Sequence, residues 1–262
     1  NGGNTRRKEA MLTEERYGKI IALLEEKKSI TVAEITELLG ISESTARRDI
    51  TALDRAGRLV KVFGGAVMAD GSYVTHEPTV AQKTDVQKQE KKMIARAAAS
   101  LVTDSDFIYI DAGTTTGCMI SFLAQKKAVF VTNAVSHAQR LAAQGNKVFL
   151  VGGELKGTTE AVIGAQAMEY LTRYHFTKGF FGANGITKSA GFTTPDAVEA
   201  QVKRTAMKQC GKCYLLCDST KFGNTSAVTF ASYGAGMVMT EKAVEGFPEE
   251  DGIFICGGTS GQ

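Results

Sequence analysis

One pattern constrains this chain more than any other: from Glu90 onward, apolar runs of strand length alternate with stretches whose apolar residues recur at helical spacing. A strand followed by a helix-length crossover returns to the same end of the sheet, so such strands lie parallel and are covered on both faces. Runs at 107–110, 128–132, 147–151, 179–182, 213–217, 236–239 and 253–256 are expected as strands. Helices are expected over 90–101, 116–124, 134–143, 163–172 and 196–209. At 43% hydrophobic residues the chain can fill such a core. The expected fold is an α/β domain with an open parallel sheet, and ligands of such sheets sit on the loops at the carboxyl ends of the strands.

Those loops carry the chemistry. The first strand runs into Asp111, Ala112, Gly113, Thr114, Thr115, Thr116 and Gly117. This small-residue loop opens a helix, where backbone amides and three hydroxyls can converge on an anion at the positive end. It lacks the Gly-Lys-Ser/Thr of a Walker loop and the Gly-x-Gly-x-x-Gly of a dinucleotide fingerprint. A plain tight turn with a Thr cap is the competing reading. The later strand ends supply Asn133, then Gly152 and Gly153, then Asn184 within Gly182 to Gly185, then Asp218 and Lys221. Glycine permits close approach of a ligand to the backbone, and Lys221 brings a cation.

The front of the chain follows a different rule. Residues 42–53 form an amphipathic helix: stepping about 100° per residue, Ala46, Ile50 and Leu53 share one arc while Ser44, Arg48 and Thr51 face away with Arg47 at the flank. Arginine can grip guanine bidentately or hold phosphate, and hydroxyls reach base edges or backbone oxygens. A solvated surface helix is the competing reading, and the flanking sequence decides against it. Tyr17, Ile20, Ile21 and Leu24 mark a preceding helix behind acidic Glu14 and Glu15. Thr31 and Glu34 form a capping box for a short helix with Val32, Ile35, Leu38 and Leu39 inward, closed by Gly40. Ser42 is the next N-cap, so two helices are joined by a very short turn. Past Gly57, residues 59–62 and 66–68 flank Phe63, Gly64 and Gly65 as a hairpin, completing a winged helix-turn-helix with Arg58 and Lys61 on the wing. Ser42, Ser44, Thr45, Arg47, Arg48, Thr51, Arg58 and Lys61 are the candidate DNA contacts. The net charge of +3 is small. From 42 to 65, however, Arg47, Arg48, Arg55, Arg58 and Lys61 outnumber Glu43, Asp49 and Asp54, so local placement must attract the nucleic acid.

The segments at 12–16 (Leu-Thr-Glu-Glu-Arg), 42–49 (Ser-Glu-Ser-Thr-Ala-Arg-Arg-Asp) and 63–66 (Phe-Gly-Gly-Ala) resemble the N-terminal domain of the DeoR-type bacterial repressors of sugar metabolism, with Phe63 where the usual pattern has His. The second half resembles their sensor domain, which is similar in fold to ribose-5-phosphate isomerase and binds phosphorylated sugars. The two resemblances together cover residues 12 to about 240. They imply that residues 113–116 hold a phosphate, that Lys221 neutralises it, and that Asp111, Asn133, Asn184, Glu199 and Lys203 meet hydroxyls or a carbonyl. Gly152, Gly153 and Asp218 complete the expected effector site. The opening at 11–16 and Phe192 to Asp196 look similar to fructose-operon members, which points to fructose 1-phosphate. An isomerase or deaminase carrying a DNA-binding module is the alternative. The isomerases use paired carboxylates, whereas residues 182–186 here hold an amide, Asn184, which cannot take a substrate proton.

Domains are expected at 11–68, 69–89 and 90–262, the middle one a polar linker containing His76 and Pro78. Residues 1–10 show no apolar period and read as a flexible arm. No run of about eighteen apolar residues and no signal-peptide pattern is present, so a cytoplasmic protein is expected, with no membrane partner. Five cysteines at irregular spacing read as reduced thiols, with Cys213 and Cys217 as core residues of one strand and no metal site. His137 and His175 have no paired nucleophile, and no cofactor is expected. Operator DNA, a phosphorylated sugar and a second or fourth copy of the chain are the expected partners.

Overall fold

The computed structural model describes residues 13–27, 29–62, 65–68, 80, 83, 86–124 and 126–257. The chain divides into two compact units between Asp70 and Gly71. The first holds α1 (Thr13–Lys27), β1 (Ser29–Thr31), α2 (Val32–Leu39), α3 (Glu43–Arg55), β2 (Leu59–Val62) and β3 (Gly65–Met68). The capping box forms as its chemistry demands: the Glu34 amide donates to Thr31 Oγ1 at 3.1 Å and the Thr31 amide to Glu34 Oε2 at 2.8 Å. Gly40 ends α2 at φ 63°, where a side chain would be strained. Ser42 Oγ then accepts from the Thr45 amide and starts α3.

Ile20, Leu24, Ile35, Ile50, Leu53 and Leu59 meet in one buried cluster. Removing an aliphatic side chain of this size from water contributes about 1.5–3 kcal/mol. Leu38 departs from expectation and is 53% exposed, because at about 100° per residue it lies well off the arc of Val32, Ile35 and Leu39. The hairpin gains a third strand that the sequence did not reveal, in the order β1-β3-β2, all antiparallel. Gly65 is part of β3 rather than of the turn; a Cβ there would stand 2.2 Å from the Ile30 carbonyl oxygen, so the close approach of β1 requires glycine. Phe63 and Gly64 lie outside the described residues, as do residues 1–10, His76 and Pro78.

The second unit runs α4 (Lys88–Ser100), β4 (Phe107–Ile110), α5 (Thr114–Met119), β5 (Val129–Thr132), α6 (Val135–Ala143), β6 (Lys147–Leu150), β7 (Glu154–Lys156) and β8 (Ala161–Ile163). It continues with α7 (Ala165–Leu171), β9 (Phe176–Phe181), β10 (Gly185–Thr187), β11 (Gly191–Thr194) and α8 (Ala197–Lys208). It closes with β12 (Cys210–Leu216), β13 (Val228–Ala231), β14 (Met237–Thr240) and β15 (Ile253–Ile255). Seven strands form one sheet in the order β15-β14-β12-β9-β4-β5-β6, every pair parallel. Both faces are buried: Ile108, Ile110, Phe130 and Phe180 pack in one cluster, Tyr109, Val131, Phe181 and Leu215 in another. That is the period of two expected of a sheet covered on both sides.

The expected elements are present with shifted ends. Helix α5 begins at Thr114 rather than 116 and passes into a short 3-10 turn over Ile120–Phe122. Five short strands were not anticipated: β7 and β8 form a hairpin, and β10, β11 and β13 a separate antiparallel sheet. At three or four residues each, rich in Thr, Gly and Ala, they are too short for a period to declare itself. The end of the expected linker belongs to this unit, since the Val80 amide donates to the Thr158 carbonyl at 3.2 Å and α4 starts at Lys88. Among the described residues no helix is long and apolar enough to cross a membrane.

Candidate functional sites

The strand order places the site of the second unit. From β4 the chain winds outward through β5 and β6, then returns to β9 and winds the other way through β12 and β14. The carboxyl ends of β4 and β9 therefore flank a topological switch point, where the diverging connections leave a crevice. Asp111 follows β4 and Gly182 follows β9. The Asp111 carboxylate, 1% exposed, ties this point together. Its Oδ1 accepts from the Gly113 amide at 3.1 Å and Thr116 Oγ1 at 2.9 Å, and its Oδ2 from the Gly182 amide at 2.8 Å. Lys203 of α8 pairs with the same Oδ2 and also donates to the Gly182 carbonyl at 3.1 Å.

Beside this knot lies a cavity of about 310 Å³. Of the expected effector residues, Gly113, Thr114, Thr115, Asn184, Glu199, Lys203 and Lys221 line it. Asp111, Thr116, Asn133, Gly152, Gly153 and Asp218 do not, and each is engaged or placed elsewhere. Thr116 is fully buried, its hydroxyl turned to Asp111 and the Gly113 carbonyl. Asn133 accepts from the Tyr109 hydroxyl at 2.9 Å and donates to the Val162 carbonyl at 3.1 Å, which fixes β5 to the β8 region. Gly153 backs onto the β7–β8 hairpin, where a Cβ would meet the Ile163 carbonyl oxygen at 2.7 Å, and Gly152 precedes it on the exposed surface. Asp218 is 1% exposed; its Oδ1 accepts from the Thr220 amide at 3.1 Å, while Oδ2 has no hydrogen-bond partner and sits 3.7 Å from Lys221 Nζ.

The charges at the cavity are uneven. Glu199 is compensated, accepting from Thr159 Oγ1 at 2.5 Å with Lys156 Nζ at 3.2 Å. Lys221 faces the cavity from the other side. Lys91 of α4 also lines it; this residue escaped the sequence reading because a lysine on a helix reads as surface. Lys91 is 4% exposed with its ammonium donating to the Lys83 carbonyl. Burial pushes its pKa down, the nearby charge of Lys221 pushes it further, and Asp218 opposes both. Lys91 and Lys221 thus place two mutually repelling ammonium groups at a cavity whose wall also carries Thr114, Thr115 and Asn184, while Lys203 is held by Asp111; such a lining can take an anion that bears hydroxyl groups.

In the first unit, α3 presents an outward face. Ala46, Ile50 and Leu53 are buried as expected, and Asp49 joins them at 2% exposed. Asp49 receives Arg16 Nε at 2.7 Å and Nη2 at 3.0 Å, so it clamps α3 to α1 rather than facing outward. Ser44, Arg47, Arg48, Arg58 and Lys61 are exposed and Thr51 half-buried. The Ser42 hydroxyl is occupied at the cap, 2.9 Å from both Ser44 Oγ and Thr45 Oγ1. Arg47 is paired with Glu43 one turn earlier. Lys61 Nζ donates to Thr51 Oγ1 at 3.0 Å and its amide to Asp54 at 2.9 Å, which fixes β2 against the end of α3. Arg48 makes no ion pair among the described residues, so its guanidinium is available to a base edge or phosphate.

Comparison with known proteins matches both units. The DeoR-like helix-turn-helix domain model matches residues 16–71, and the DeoR C terminal sensor domain model matches residues 86–259. An uncharacterized HTH-type transcriptional regulator FruR of Bacillus subtilis is 41% identical over 236 residues, 90% of this chain and 93% of the relative. A lactose phosphotransferase system repressor of Staphylococcus aureus is 33% identical over 219 residues, 82% of this chain and 86% of the relative. Ribose 5-phosphate isomerase A of Methanocaldococcus jannaschii aligns at 14% identity over 52% of this chain and 55% of its own, with a TM-score of 0.40, a likeness too slight to bear on activity. With a winged helix-turn-helix in front and a parallel α/β sensor domain behind, both matched along nearly their whole length, this chain belongs to the DeoR family of DNA-binding transcriptional regulators.

Proposed function

We propose that this protein represses a sugar-utilisation operon and is released from its operator by a phosphorylated sugar bound at the switch-point cavity. The observation that carries the reading is the convergence of Lys91, Lys203 and Lys221 on one cavity: Lys203 is paired with Asp111, but the like charges of Lys91 and Lys221 repel across it with only the buried Asp218 to offset them, so a bound anion is favoured there. A phosphoryl group supplies that anion, and Asn184, Thr114 and Thr115 meet the sugar hydroxyls. Arg48 and Ser44 read bases from α3, with Arg47, Arg58 and Lys61 on phosphates. One three-helix reader contacts too few bases, so two copies on symmetric half-sites are required, in a homodimer or homotetramer. Effector binding favours one arrangement of the readers over another, a coupling of about 1–3 kcal/mol.

The test is release of a selected operator duplex from the full chain on titration with sugar phosphates, fructose 1-phosphate first. Lys221→Ala is expected to raise the effector concentration needed by about tenfold and to leave operator affinity unchanged. A dose response identical to that of the unaltered protein would place the phosphate elsewhere.

A further inference from the structure

The cavity beside Lys91 and Lys221 is not the whole of the space at the switch point. A second cavity of about 260 Å³ adjoins it, and the two share Gly113, Thr114 and Thr159 in their walls. The polar wall of this second space is Lys92, Ser121, Ser136, His137 and Arg140, and among the described residues no carboxylate lines it. Two cations without an acid leave a net positive recess, and its low-dielectric walls hold the field in place. Arg140 Nη2 reaches Ser121 Oγ at 3.3 Å, so the guanidinium stays over the recess.

His137 gives the second, independent observation. It is only 7% exposed, and its Nδ1 has no hydrogen-bond partner. A polar atom withdrawn from water without a partner is costly, and a ligand hydroxyl, or the O–H of a singly ionised phosphoryl group, would meet it. The chain makes room for this ring at Gly117, where a Cβ would stand 2.6 Å from His137 Nε2. His137 also lies in the first turn of α6, a nine-residue helix whose N-cap, Ala134, offers no side-chain acceptor, so the positive end of that helix faces the same space.

We propose that the second cavity binds the second phosphoryl group of a doubly phosphorylated sugar whose first phosphoryl group lies against Lys91 and Lys221. The proposal rests on the sugar-phosphate reading above and narrows it. A monophosphate seated in the first cavity leaves the recess beside Lys92 and Arg140 without an anion and His137 Nδ1 without a partner; a bisphosphate bridging Gly113 and Thr114 fills both ends.

Calorimetric titration of the full chain with fructose 1-phosphate, fructose 6-phosphate, fructose 1,6-bisphosphate and inorganic phosphate tests it. The bisphosphate is expected to bind at least about tenfold more tightly than either monophosphate. Lys92→Ala combined with Arg140→Ala removes that advantage and leaves monophosphate affinity within about twofold. Equal binding of mono- and bisphosphate by the unaltered chain overturns the proposal, and so does an equal loss for both ligands in the double variant. Inorganic phosphate that binds together with a monophosphate and restores the missing affinity assigns the recess to a free anion and overturns the bridging ligand. Lys221→Ala separates the two readings: if it weakens the monophosphates while the bisphosphate has no advantage, the sugar-phosphate site stands and the second cavity falls. If no sugar phosphate binds at all, both fall.

Discussion

Each unit of this protein holds its functional element with one buried carboxylate, and the two do so differently. Asp49 clamps α3 to α1 through a single arginine, Arg16, whose side chain keeps 15% of its exposure. Asp111 accepts from two backbone amides, a threonine hydroxyl and a lysine, and joins the ends of two strands to a helix. The proposed reading surface is thus one helix with its polar side chains turned to the outside, of which Arg47 is paired with Glu43. The proposed sensing site is a crevice that exists only because distant parts of the chain converge. A contact surface for DNA needs exposure, whereas a pocket for a small anion needs desolvated cations, and those must be built into the fold.

The largest effect that could break this comparison is Asp111→Ala. Losing one partner of a buried ion pair costs about 3–5 kcal/mol, because Lys203 and two amides lose their acceptor together. Asp49→Ala is expected to cost less, about 1–3 kcal/mol, since Arg16 can turn to water. Denaturant unfolding of both variants checks the order, and equal losses would mean that the partner count does not decide it.

The next effect concerns acid. Burial pushes His137 down to about 4 against the pull of the Asp111 carboxylate, with Arg140 adding to the depression. The unfolded chain binds a proton near pH 6.5 that the folded chain refuses until about 4. Stability therefore falls as pH drops through that window and the loss levels off below it, at about 3 kcal/mol for this one group. His137→Gln should flatten the slope between pH 6.5 and 4. It should leave untouched the lower window set by Asp106. Burial alone would raise that carboxyl, but Lys178 with bonds from Thr103 and Thr177 holds it at about 2, so its contribution is lost only as pH falls from 3.8 toward that value. A slope that survives the substitution would assign the acid sensitivity to other groups.

The same contrast explains what could be read beforehand. The face of α3, its cap at Ser42 and the capping box at Thr31 are consequences of neighbours within a few residues, and all are present as expected. The seven parallel strands were legible because the central ones are buried on both faces and apolar residues dominate most of the runs, although the edge strand β6 is largely exposed. The sensing site was half legible. Every strand of such a sheet has a carboxyl end, but only the ends of β4 and β9, with their neighbours, meet at the switch point. Asn133 follows the neighbouring β5 but is turned to Tyr109 and Val162, and Gly152 and Gly153 follow the edge strand β6, so all three miss the cavity that lies at the crossing. Lys91 was overlooked for the opposite reason: only the packing of α4 across the sheet ends makes a helix lysine an interior one.

For the first unit, the corresponding substitution is Arg48→Ala. Loss of one bidentate base contact costs about 1–3 kcal/mol per half-site, which two symmetric copies double, so operator binding should weaken by about 2–6 kcal/mol, toward the level of random DNA. Effector affinity should not change. Unaltered operator binding would count against α3 as the reader.

The smallest effect bears on whether exposure alone makes a residue available. Arg47 is exposed, like Arg48, yet it is paired with Glu43 one turn earlier on the same helix. An exposed pair at this spacing stabilises the helix by only about 0.3–0.5 kcal/mol, so it can be opened, but opening it is a cost that DNA binding must meet. Glu43 also places a negative charge on the face that approaches phosphate. Glu43→Gln removes both penalties while keeping a polar residue in the first turn, so operator affinity should rise by about two- to fivefold at low salt and converge with the unaltered protein as salt increases. If affinity falls instead, the acidic side chain is itself a base contact, accepting from cytosine, and Arg47 is held by Glu43 in the bound state as well.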